Sequence, residues 1–86
     1  MLTIYGTIND LVKFVKQRNY PKCGVLLRSA KTELPLAAYA YDGWFGGVVI
    51  SRRAARLGAK PSHAYNDSDK AYRILKKSVD GGLYLV

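Results

Sequence analysis

Hydrophobic positions along the chain change period several times, and each change marks an element. Leu2-Thr3-Ile4-Tyr5 alternates, with Leu2 and Ile4 on one side, and predicts a first strand ended by Gly6. Ile8, Leu11, Val12 and Val15 then recur at helical spacing, with Lys13, Lys16 and Gln17 pointing away. Thr7 and Asp10 stand at the capping-box positions of that helix, although Glu is the better residue at the second. Asn19-Tyr20-Pro21 closes it, because the residue before a proline avoids the helical region.

Two runs are continuous rather than alternating. Val25-Leu26-Leu27 and Val48-Val49-Ile50 are short apolar runs bounded by breakers, the second wholly β-branched, which predicts inner strands of one sheet. Between them the chain alternates. Leu34, Leu36, Ala38 and Ala40 fall on one side, and Pro35, Ala37, Tyr39 and Tyr41 on the other. Pro35 places the start or an edge of this strand, since it donates no ladder hydrogen bond. Asp42-Gly43 is a turn signal that would close a hairpin, with Trp44 and Phe45 at its tip or first pair.

Ser51 is placed to cap a short helix, Arg52 to Leu57, with Gly58 as its stop. Arg52, Arg53 and Arg56 share a sector of roughly 100°, with Ala54, Ala55 and Leu57 on the inward side. A last helix runs from Asp69 to Val79, with Ala71, Tyr72, Leu75 and Val79 as its apolar stripe and Ile74 beside it. Lys70, Arg73 and Lys77 lie on the opposite face. Leu83 to Val86 reads as a final strand, held by its neighbours or left as an edge for a partner chain.

The expected fold is therefore α+β: a single small domain over residues 1–86, with a mixed β-sheet covered by helices in the order β-α-β-β-β-α-α-β. This overlaps a ferredoxin-like arrangement with an added strand. The patterns do not set the strand order.

Charge sharpens the picture. Fourteen Lys and Arg face six Asp and Glu, a formal net charge of +8 over 86 residues. Residues 1–43 carry six basic and three acidic side chains (+3); residues 44–86 carry eight and three (+5). Such a balance attracts nucleic acid, an anionic membrane or an acidic protein surface. No apolar run approaches membrane-spanning length, so no integral membrane association is expected. No signal-peptide pattern opens the chain, and a cytoplasmic location is the expectation.

From Gly43 to Tyr65 there is no acidic residue, which leaves Arg52, Arg53, Arg56 and Lys60 locally unneutralised. Arg52 and Arg53 also sit in a first helical turn, where the dipole disfavours cations. An acidic partner would give that arrangement a reason. Gly43 and Gly46 form a G-x-x-G, but with Trp and Phe inside it and a strand after it, unlike the loop of single-strand RNA modules.

Catalytic chemistry has little to build on. Cys23 is the only thiol and His63 the only imidazole, so neither a disulfide framework nor a metal set is expected, and no cofactor. Lys60, Asp67 and Asp69 match no known nuclease signature. The expectation is a non-enzymatic basic protein binding DNA or RNA. Arg52, Arg53, Arg56, Lys60, Lys70, Arg73 and Lys77 would contact phosphates on one continuous surface, with Tyr39, Trp44 or Phe45 stacking. The alternative is a small inhibitor or assembly factor docking on an acidic protein through Trp44, Phe45 and the arginines. A homodimer is compatible with either.

Overall fold

The computed structural model describes residues 2–18, 24–41, 46–58, 69–78 and 83–85. The element order is β1 (Leu2–Tyr5), α1 (Ile8–Gln17), β2 (Val25–Arg28), β3 (Pro35–Tyr41), β4 (Gly46–Ser51), α2 (Arg52–Arg56), α3 (Asp69–Ser78) and β5 (Leu83–Leu85). This is the order read from the sequence. Cys23, Trp44, Phe45, Lys60, His63 and Asp67 lie outside the described residues, so the expectations placed on them have no structural counterpart here.

The five strands form one mixed sheet in the sequential order β1-β2-β3-β4-β5. β1 and β2 are parallel, with α1 as the crossover; the remaining pairs are antiparallel. The strand order departs from a ferredoxin-like sheet, and so does the placement of the helices on both faces. The helices divide between the faces, and the division can be read from the core. Ile8, Leu11 and Val15 of α1 and Ala54 of α2 pack with Val25, Leu27, Ala37, Tyr39, Val48 and Ile50. Ala71 and Leu75 of α3 pack on the other face, with Leu26, Ala38, Ala40 and Val49. A strand covered on both faces must be apolar at every position. That is why β2 and β4 are written as continuous runs.

Local chemistry starts and stops the helices. The Thr7 backbone N–H donates to Asp10 Oδ2 at 2.7 Å, and Asp10 N–H donates to Thr7 Oγ1 at 3.3 Å, completing the capping box. Gly6 precedes it at φ +151°, and a Cβ there would collide with the Asp10 carboxylate. The buried Ser51 caps α2, its Oγ accepting from Ala54 N–H at 3.1 Å. Gly58 ends that helix at φ +82°, a left-handed conformation that glycine adopts freely.

One departure in β3 has a geometric cause. The ladder shifts between Leu27, opposite Ala37, and Arg28, opposite Pro35, leaving Leu36 as an extra residue. Strict alternation would send Leu36 to the α3 face. The bulge instead lets it pack with the cluster under α1. Glu33, in the preceding turn, has φ 61°, and its carbonyl accepts from Arg28 Nη1 at 2.9 Å.

Candidate cationic surfaces and an apolar groove

α2 is five residues long, too short to persist by its own hydrogen bonds. It is held by the Ser51 cap and by Ala54, 2% exposed, which is pinned against the sheet. With Ala54 inward, Arg52, Arg53 and Arg56 project outward, and all three are exposed. The first turn contains no acidic residue. Among the described residues, none of the three guanidinium groups has an ion-pair or hydrogen-bond partner. Three guanidiniums, each with five donors, are thus presented to solvent on one short ridge.

α3 presents a second set. Ala71 and Leu75 are fully buried, so Arg73 and Lys77 face away from the sheet and are exposed, as is Lys76. Lys70 lies one turn before Arg73 on the same helix. α2 and α3 are anchored on opposite faces of the sheet, and their outward sides point in opposite directions. The expectation of one continuous cationic surface from Arg52 to Lys77 is corrected: the cations form two surfaces with the sheet between them. Helical spacing orients cations against their own helix's apolar stripe, but it does not say which face of the sheet that stripe covers.

Tyr39 also needs correction as a stacking residue. It is 0% exposed and lies in the core under α1 and α2. Its ring fills the layer beside Ala37, so no base or partner reaches it. Leu57 moves the other way. Expected on the inward side of the arginine helix, it is 78% exposed. It is the C-cap residue, its N–H donating to the Arg53 and Ala54 carbonyls at 3.1 Å, and it lies beyond the covered turn.

Leu57 stands at a groove that sequence reasoning did not find. The groove encloses about 420 Å³ between the start of α1, the β2–β3 turn and α2, and its lining is mostly apolar. Ile8, Leu36, Ala54 and Leu57 contribute carbon surface, while Thr7 and Lys31 contribute polar atoms. Asp10 also lines it. Its carboxylate is held below the usual range first by the Thr7 backbone N–H, then by the Thr7 hydroxyl, with a smaller contribution from Lys13. The bulge at Leu36 helps to shape this groove, and nothing in the spacing of β3 announces it.

Among the described residues, no group of three His, Cys, Asp or Glu could hold a metal ion, and no helix is long and apolar enough to cross a membrane. Comparison with protein-family models, with curated proteins and with solved structures finds no match to this chain.

Proposed function

We propose that this is a non-enzymatic, cytoplasmic nucleic-acid-binding protein whose primary phosphate contacts are Arg52, Arg53 and Arg56. The observation that carries the reading is the exposed, acid-free arginine ridge of α2, held rigid by a buried cap and a buried alanine. Guanidinium groups pair with phosphate oxygens in a two-pronged geometry and release condensed counterions when they do so. Arg73 and Lys77 of α3, with Lys60 and Lys70, supply further phosphate contacts. Trp44 and Phe45 are the stacking candidates once Tyr39 is assigned to the core. Binding of this kind is strong in low salt and nearly indifferent to base sequence.

A second reading is favoured by a specific feature, the apolar groove beside Leu57. An acidic protein segment with an apolar side chain would find carbon surface in the groove and charge on α2. Pull-down from native lysate with and without nuclease separates the two. Nucleic acid recovered with the protein, and protein partners lost on nuclease treatment, support the first reading. An acidic protein retained after nuclease, and released by Leu57→Ala, would overturn it in favour of the second.

A further inference from the structure

We infer that, granted the nucleic-acid reading above, one copy of the protein bridges two separate double-stranded segments, one on the α2 face and one on the α3 face. The observation is the disposition of the cations. Arg52, Arg53 and Arg56 leave one face of the sheet, joined by the exposed Lys13 and Lys16 of α1. Arg73 and Lys77 leave the other face. The five-stranded sheet and its two apolar layers stand between them, in a body measuring 30 × 22 × 22 Å.

A duplex lying along one face cannot reach the cations on the other. Double-stranded DNA bends smoothly only over lengths of about 50 nm, and sharp bending costs several kcal/mol. Curling a duplex around a body of this size for two or three extra phosphate contacts is therefore unfavourable. A second segment makes the same contacts without bending. The two faces are also isolated electrostatically. The Debye length is about 8 Å at physiological ionic strength, shorter than the body's smallest extent, so phosphates on one face scarcely weaken binding on the other. Charge on both sides of one small rigid body, with no acidic helix face among the described residues, suits a cross-link better than a one-sided clamp.

The test uses the full chain and two short duplexes of unrelated sequence, one immobilised on beads and one fluorescent. Wild-type protein should carry the fluorescent duplex onto the beads at low salt while sedimenting as a monomer when free. Arg52→Ala/Arg53→Ala/Arg56→Ala and Arg73→Ala/Lys77→Ala change only exposed residues, and far-UV circular dichroism checks that both fold. Each variant should bind a single duplex more weakly than wild type by anisotropy, through the one face it keeps, and each should lose the captured duplex.

Capture that survives either set of substitutions would overturn the bridge. So would capture by a dimer in which only one set of cations matters, since each copy would then use a single face. Anisotropy binding without capture by wild type would overturn the bridge and leave nucleic-acid binding standing. No binding to either duplex, nor to a single strand of DNA or RNA in the same assay, would remove the underlying reading as well.

Discussion

Leu75→Ala tests whether α3 is held on its own face of the sheet by the packing described. Leu75 is fully buried against Leu26, Ala38, Ala40 and Val49. The substitution deletes three carbons from that layer. At about 0.8 kcal/mol per buried methylene, the transfer loss alone is roughly 2.4 kcal/mol. Its surroundings collapse poorly, because the two alanines opposite have no side chain to swing into the space. A residual cavity therefore adds to the loss, and the expected destabilisation is about 3–4 kcal/mol. A chain of this size has a total stability of roughly 4–13 kcal/mol, so the fraction lost is large. Urea unfolding followed by circular dichroism reads it. The midpoint should fall by more than about 1 M with little change in slope. Arg73→Ala on the opposite side of the same helix should stay within about 0.5 kcal/mol of wild type. A Leu75→Ala loss below about 1 kcal/mol would refute the placement of α3 on the sheet.

Ser51→Ala removes the buried cap of α2 and should cost about 1 kcal/mol in chemical denaturation, with weaker phosphate binding as the arginine ridge frays. Glu33→Gly should stabilise by about 0.5–1 kcal/mol in the same assay, because glycine adopts φ 61° without a Cβ penalty and the bond from Arg28 goes to a backbone carbonyl that any residue supplies. Gly6→Ala should lower the thermal midpoint clearly, since it forces a Cβ into the Asp10 carboxylate at a backbone angle that side chains avoid. Asp10 has a pKa held below 3.8 in the folded chain, so its capping contribution is present above that value and is lost as pH falls through the depressed folded pKa. The stability difference between wild type and Asp10→Asn, measured by urea unfolding at pH 7 and again near pH 3, should therefore shrink at the lower pH.

The elements were legible because their signals are local. Thr7 with Asp10, Ser51 before Arg52, and Gly58 after Leu57 each mark a helix end by backbone chemistry within four residues. The doubly covered strands were legible because Val25-Leu26-Leu27 and Val48-Val49-Ile50 leave no polar position for a solvent face. What the sequence did not show depends on which side of the sheet each helix takes. Alternation put Tyr39 and Tyr41 on a common face, but that face became interior only when α1 and α2 covered it. The same information decides whether the arginines of α2 and the cations of α3 merge or oppose, and helical spacing does not contain it. Leu57 was misplaced for a different reason: in so short a helix the C-cap lies past the supported turn, and periodicity stops describing its surroundings.

The salt dependence of duplex binding by the α2 triple variant, Arg52→Ala/Arg53→Ala/Arg56→Ala, tests the central claim most directly. The affinity of wild type for a short DNA duplex should fall linearly with salt on logarithmic axes. Each phosphate contact that the variant loses should make that slope shallower by about 0.9. With three arginines engaged, the two slopes should differ by about 2–3, while Arg→Ala changes on the solvent side of α2 leave the urea midpoint nearly unmoved. Equal slopes and equal affinities for wild type and variant would contradict the assignment of α2 as the phosphate-binding element.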